Sequence, residues 1–416
     1  MLDVVVNHMA WKGNPNLDAY SQFSPFDSSD YFHTPCLISQ VPDANISTLE
    51  NCWLGDDVVA LPDLRTESPN VASMLASWIE GLVANYSVDG LRIDSALNVE
   101  PQFFPNFLAA AGTFATGETM DGNASISCVY QANSIGSILN YPIYYPLARA
   151  FTSSQGSFSE LVADIAWVNR SCSDPTTLAT FSENHDVARF ASLTGDLALA
   201  ANILTYVVMQ PGIPIVYYGA EQHLAGSTIL SANRQALWLN GYNTSAPLYQ
   251  LLAKLNALRN HAVATSNYAR SQSYVAYQDS NTIAFLRHAH DGKSTTVTIL
   301  TNNGADAGQY TVDVSTSLTP GTNMTNILSC KSLILSTKGS LAAEMQEGMP
   351  QVYYPSDSLD GSGLCGRSLS VKSSTSNSSS SSTGHQNAVS RLVVGGLAWE
   401  LVLAMSIGWA VHMGVV

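Results

Sequence analysis

Gly90-Leu91-Arg92-Ile93-Asp94 is a short apolar run that ends on a carboxylate, and its neighbours decide how the chain is built. Just before it, Val71, Met74, Leu75, Trp78, Ile79, Leu82 and Val83 recur at i, i+3, i+4, i+7 spacing, which predicts an amphipathic helix. The GLRID run then reads as a strand. After it, Phe114 to Glu118 reads as the next strand, Ile143 to Val168 as mostly helical, and Leu178 to Asp186 as a strand. Leu197 to Met209 reads as a helix, and Ile213 to Tyr218 as one more strand, ending near Glu221. At the start of the chain, Leu2 to Val6 is a buried strand running into Asn7-His8. Repeated β-then-α units predict a parallel sheet, here a (β/α) barrel.

The flanking segments differ in texture. Residues 9 to 64 carry little periodicity and many Pro, Asp, Asn and aromatic residues, a long irregular excursion of the kind that is usually functional. From about Ser266 to Gly366, runs such as Thr282–Leu286 and Ser294–Leu300 are strand-like, and a helix signal appears only near Leu341 to Met345. This predicts a separate antiparallel β-domain. The expected organisation is a catalytic barrel over 1–7 and 65–265, an inserted irregular domain over 8–64, and a β-domain over 266–367. A Ser/Thr-rich stalk over 368–390 and an apolar tail over 391–416 follow.

Composition narrows the function. The 416 residues have a net charge of −15, and phosphate binding needs a basic surface, so a nucleic-acid partner is excluded. Low lysine with abundant Ser, Thr, Asn and Tyr suits a neutral polyhydroxyl ligand. Six cysteines, none in a C-x-x-C pair, suit three local disulfides rather than zinc or redox chemistry. Sequons at Asn45, Asn85, Asn123, Asn169, Asn243, Asn323 and Asn377 point to secretion. The tail, with small residues, a polar spacer and a terminal apolar stretch, has the pattern of a glycolipid (GPI) anchor signal. The alternative, a single-pass helix, normally carries basic cytoplasmic flanks, and no Lys or Arg follows Leu392. No signal peptide follows Met1, and the expectation is that the true start lies upstream.

Four strand ends carry the chemistry: Asp3-Val4-Val5-Val6-Asn7-His8, Gly90-Leu91-Arg92-Ile93-Asp94, Gly117-Glu118-Thr119-Met120-Asp121-Gly122 and Phe181-Ser182-Glu183-Asn184-His185-Asp186. Barrel active sites lie at the C-terminal strand ends. Retaining cleavage of a glycoside needs two carboxyl groups about 5 Å apart, and neighbouring strands about 4.8 Å apart can present them. Asp94 and Glu118 lie one βα unit apart. Arg92 shares a face with Asp94 by period-2 alternation and can hold it ionised.

These four segments resemble the characteristic regions of the α-amylase family of glycoside hydrolases, fungal α-amylases in particular. The likeness runs from residue 1 to about 367 and includes Cys52-Trp53-Leu54-Gly55-Asp56, Leu139-Asn140-Tyr141-Pro142-Ile143-Tyr144-Tyr145-Pro146 and Glu221-Gln222-His223. The resemblance implies Asp94 as nucleophile, Glu118 as general acid/base and Asp186 as transition-state stabiliser. It implies sugar contacts from His8, Arg92, His185, Arg234, Asp121 and Gly122. It also implies a structural calcium held by Asn7, Glu50, Asp63 and the carbonyl of Asn98, since calcium takes oxygen ligands. With sequence proximity, it implies the bridges Cys36–Cys52, Cys128–Cys172 and Cys330–Cys365. Leu97 departs from the family, which usually places a sugar-binding lysine there. The loop Gly226–Ser231 lacks the aspartate expected before Ala232-Asn233-Arg234. The first segment matches the third strand of the family barrel, so the expected fold is a (β/α)8 barrel lacking its first two strands.

The expected function is retaining endo-hydrolysis of α-1,4-glucosidic bonds in an α-glucan polysaccharide or maltooligosaccharide. The expected setting is a monomer outside the cell, on the membrane or wall through the lipid anchor. The rivals are an α-glucanotransferase remodelling wall α-glucan and a non-catalytic glucan-binding wall protein.

Overall fold

The structure is a computed structural model that describes residues 1–14, 20–42, 45–288 and 294–369. The sequon at Asn377, the apolar tail and all but the first two residues of the expected stalk lie outside the described residues. Among the described residues, no helix is long and apolar enough to cross a membrane.

Six parallel segments follow one another in chain order around an arc. Leu2–Val5 pairs with Gly90–Asp94, which pairs with Phe114–Gly117. Gly117 bridges to Ile138, Leu139 bridges to Ala179, and Ala179–Thr180 pairs with Ile213–Pro214. The outer edges of Leu2–Val5 and of Ile213–Pro214 have no strand partner among the described residues. Leu2, Val5 and Ile213 are correspondingly exposed. The helix Pro69–Tyr86 buries Val71, Leu75 and Ile79 of the predicted stripe, half-buries Met74, Leu82 and Val83, and leaves Trp78 exposed.

Four elements differ from the sequence reading, one of them the strand expected over Ile213 to Tyr218, which is regular only at Ile213–Pro214 before the chain turns at Tyr218-Gly219. The strand expected over 178–186 is regular only at Ala179–Thr180. Beyond it, backbone N–H groups are taken by side chains rather than by a ladder: Asp186 and Val187 donate to Asn184 Oδ1, and Phe190 donates to Glu183 Oε2. The helical stretch 143–168 is two helices, Tyr141–Phe151 and Phe158–Ser171. Between them Gly156 passes so close to the Ala150 carbonyl that a Cβ there would collide with it. The helix signal near Leu341 is a strand, Ser340–Met345, paired antiparallel with Tyr310–Ser315. Leu341, Ala343 and Met345 are buried and Ala342 and Glu344 exposed, so pairing and period-2 burial override helix-favouring residues.

The excursion after Asn7 holds a three-stranded sheet of Trp11–Lys12, Val59–Leu61 and Leu54–Gly55, with a short helix at Ile46–Asn51. The C-terminal part is an antiparallel six-stranded sheet in the order 332–334, 323–326, 351–355, 295–301, 282–288, 273–278, with the 310–315/340–345 pair beside it. Buried polar groups join it to the barrel. Asn202, in the buried helix Leu197–Met209, accepts from Thr301 N and donates to the Gly348 carbonyl. Arg287 donates to the carbonyls of Met209, Gln210 and Tyr268, while Arg259, within the barrel, secures the same helix end through the carbonyls of Val208, Gln210 and Gly212. Carbonyls at a helix C-terminus carry partial negative charge, so they can hold these buried cations without acids. The three expected disulfides are present, with Cα–Cα distances of 5.0, 4.8 and 5.2 Å.

Candidate active site

Register places the charged groups. Asp3 stands opposite Arg92, and Val5 opposite Asp94. Alternation along the strand buries Leu91 and Ile93 in the core and turns Arg92 and Asp94 to the other face. Arg92 Nη1 then contacts Asp94 Oδ1 at 2.6 Å and Asp3 Oδ1 at 2.9 Å, while Nη2 lies 2.6 Å from Glu118 Oε1. The Nη2–Glu118 contact is an ion pair without hydrogen-bond alignment. Just past the strand, Ser95 takes a left-handed turn, φ 49°. Its hydroxyl donates to Asp94 Oδ2 at 2.7 Å and its N–H to Glu118 Oε2 at 2.9 Å. One guanidinium and one serine thus hold both carboxyl groups.

Their proton affinities diverge. Burial raises Glu118 to about 7, helped by the nearby Asp94 and Asp186 charges and opposed by Arg92. Burial also opposes the charged form of Asp94, but Arg92 and the Ser95 hydroxyl outweigh it and hold the carboxyl below its ordinary range. Two carboxyls with opposed affinities can supply an acid and a nucleophile at the same pH.

The other predicted residues fall into two groups. Asp186 accepts from Arg234 Nη2 at 3.0 Å and stands 3.1 Å from His185 Nε2. Arg234 Nε also donates to the His185 carbonyl. Asn184 shapes this turn, and its Nδ2 donates to Tyr141 Oη. His8 faces the Asp94 charge, and burial lowers the pKa of both His8 and His185. So His8, Arg92, Asp94, Glu118, His185, Asp186 and Arg234 form one electrostatic cluster. Asp121 and Gly122 follow Glu118 by three and four residues, and Gly122 packs against the Tyr145 ring, itself tilted against Tyr141. Sequence reasoning did not single out Asp3 or Ser95 as site residues. Asp3 belongs to a strand-end motif, but its link to Arg92 depends on strand register. Leu97, the departure from the family, is buried, and its carbonyl accepts from Tyr130 Oη.

The candidate calcium residues fall into two pairs. Asn7 and Asp63 are both buried, and the Leu64 N–H donates to the Asn7 carbonyl. Asn98 Nδ2 donates to the Leu49 carbonyl, next to Glu50. Among the described residues no three His, Cys, Asp or Glu side chains cluster as metal ligands. The expected set has only two acids, with amide and carbonyl oxygens for the rest. The residues nevertheless fit a hard cation. Asp63 Oδ2 is held by His33 at 2.6 Å, and the Asn7 side chain approaches the same carboxyl, yet Oδ1 stays buried without an aligned hydrogen bond. Burial pushes Asp63 up to about 7. An orphaned buried carboxylate oxygen is costly unless something positive meets it.

Residues 1–238 match the family model described as the α-amylase catalytic domain, and residues 275–373 match α-amylase domain C. The chain belongs to the α-amylase family of glycoside hydrolases. It is 41% identical over 366 residues to α-amylase 2 of Schwanniomyces occidentalis, covering 88% of this chain and 71% of that one. With the α-amylase of Saccharomycopsis fibuligera it shares 42% identity over 356 residues, 85% of this chain and 70% of that one. Its fold matches the solved α-amylase of Malbranchea cinnamomea with a TM-score of 0.83 at 44% identity, over 88% of this chain and 76% of that one. In α-amylase terms, the six-segment arc belongs to the barrel and the C-terminal antiparallel sheets to domain C.

Proposed function

We propose that this α-amylase family member cleaves internal α-1,4-glucosidic bonds of starch-like glucans with retention at the anomeric carbon. The observation that carries the reading is the opposed proton affinity of Asp94 and Glu118, held side by side by Arg92. Asp94 attacks the anomeric carbon while Glu118 gives its proton to the departing glycosidic oxygen. The resulting glycosyl ester on Asp94 is attacked by water, Glu118 takes the water's proton, and the Asp94 carboxylate is released. Arg92 keeps Asp94 ionised and aimed. Asp186, positioned by Asn184 and Arg234, stabilises positive charge on the ring and orients hydroxyls. His8, His185 and Arg234 bind the sugar, with Asp121 and Gly122 at the rim.

A calcium ion held by Asn7, Glu50, Asp63 and the Asn98 carbonyl would fasten the inserted segment to the strand ends. Its role is structural, and no chemical step passes through it. Chelation is expected to lower the thermal midpoint by roughly 5 °C, the effect of losing a ligand present at about 100 times its Kd. An unchanged midpoint, read by scanning calorimetry with and without chelator, would remove calcium from this site.

Three disulfides support an oxidising, extracellular setting, and the sequence pattern of the tail supports lipid anchoring there. Incubation with a single maltooligosaccharide tests the function. Shorter products only, released first as the α-anomer, are expected. Products longer than the substrate would mark a glucanotransferase, and no products a binding protein.

A further inference from the structure

We propose that Asn123 carries an N-linked oligosaccharide that stands at the rim of the catalytic cleft and screens the glucans that enter it. The inference rests on the cleft assignment above and adds a modification site and a selectivity to it.

The six sequon asparagines among the described residues are all exposed: Asn45, Asn85, Asn123, Asn169, Asn243 and Asn323. Asn123 differs from the rest in its position. It follows Asp121-Gly122, five residues after Glu118, on the loop that leaves the strand Phe114–Gly117. Its N–H donates to Asp121 Oδ1 at 2.7 Å, and the intervening Gly122 lies against Tyr145. Tyr145 is tilted against Tyr141, with ring centroids 6.0 Å apart, and Tyr141 is the partner of Asn184 beneath Asp186. The residue therefore hangs on the wall that runs from Glu118 to Asp186.

The local geometry suits the modification. Asn123 caps the helix Ala124–Tyr130 with its side-chain oxygen, which accepts the Ser125 N–H at 2.9 Å. The cap engages Oδ1, whereas a glycan bonds to Nδ2, so a modified Asn123 keeps its cap. Ser125, the hydroxyl residue of the sequon, is exposed as well. The transfer forms a bond from Nδ2 to the anomeric carbon of the first sugar. It breaks that carbon's bond to the diphosphate of a lipid-linked oligosaccharide donor. The diphosphate leaves with the electron pair and Nδ2 loses a proton, so no oxidant or reductant is needed. The setting is the same oxidising secretory route that forms the three disulfides.

A hydrated oligosaccharide at this rim occludes bulky, branched glucan more than a short linear chain. The test uses the full-length protein secreted by a yeast, with Asn123→Gln and Ser125→Ala beside it. Ser125→Ala removes the sequon but keeps the Asn123 cap, so it separates loss of glycan from loss of the cap. Peptide mass mapping is expected to show a hexose-rich glycan on Asn123 that is absent from both variants. An unmodified Asn123 peptide would overturn the site. Ser125→Ala is expected to lower KM for soluble starch by about threefold and to leave KM for a short maltooligosaccharide unchanged. Equal change on both substrates, or no change on either, would overturn the screening role. If neither form hydrolysed anything, the function proposed above would fail, yet the mass map would still decide the site. Migration of the two forms through a starch gel would then decide the screening.

Discussion

Replacing Asp94 by asparagine is expected to reduce turnover on starch by 10⁴-fold or more, about 5.5 kcal/mol of transition-state stabilisation at 1.36 kcal/mol per tenfold. Asparagine keeps the shape and can still meet Arg92 through its carbonyl. It cannot form the glycosyl ester, so the two-step route is closed and only slow direct attack by water remains. The substitution also has a stability signature. The folded state holds Asp94 ionised more firmly than the unfolded chain, whose carboxyl has the ordinary value of 3.8. Its contribution to stability is therefore present above that value and lost as pH falls through the lower folded pKa. Asp94→Asn should lower the thermal midpoint modestly at pH 7, and the difference from wild type should vanish in strong acid. Residual turnover within tenfold of wild type would dismiss Asp94 as the nucleophile.

What could be read from the sequence followed from periodicity and caps. The helix Leu197–Met209 was legible at both ends because Asp196 caps it, accepting from the N–H groups of Ala198 and Leu199, and Gln210-Pro211-Gly212 stops it. Arg92 and Asp94 were legible as partners because strand alternation puts them on one face. Asp3 was not, because its link to Arg92 depends on a register between strands nearly ninety residues apart. Ser95 was missed because its role depends on a left-handed turn that no glycine announces. The end of the strand at Thr180 was hidden because Phe181-Ser182 continues the apolar pattern, while Glu183 and Asn184 divert the backbone donors. The strand Ser340–Met345 failed for the opposite reason. Leu-Ala-Ala-Glu-Met favours a helix locally, and only the neighbouring strand Tyr310–Ser315 makes it extended. Contacts between distant segments, such as Arg287 on the carbonyls of Met209 and Gln210, leave no local trace at all.

Glu118→Gln is the second substitution of large expected effect, and its pH behaviour separates it from Asp94→Asn. The wild-type alkaline limb of kcat/KM should turn over near pH 7, where the buried Glu118 loses its proton and no longer serves as the acid. The acid limb should lie well below that, where Asp94 becomes protonated. In Glu118→Gln the limb near 7 should disappear, and starch turnover should fall by roughly 10²–10⁴-fold, the usual worth of general acid catalysis. An aryl maltooligosaccharide with an acidic phenol as leaving group needs no proton to depart, so its bond-breaking step should suffer far less than that of starch. Stability should move the other way from Asp94→Asn. The folded state raises the Glu118 carboxyl from 4.5 to about 7. Wild type therefore loses stability as pH rises through that window, on the order of 3 kcal/mol for a largely buried group. Glutamine carries no charge to desolvate, so the variant should melt at a higher temperature than wild type at pH 8 and close to it at pH 4.5. A variant that kept the limb near 7, or that lost the aryl substrate as completely as starch, would assign the acid to another group.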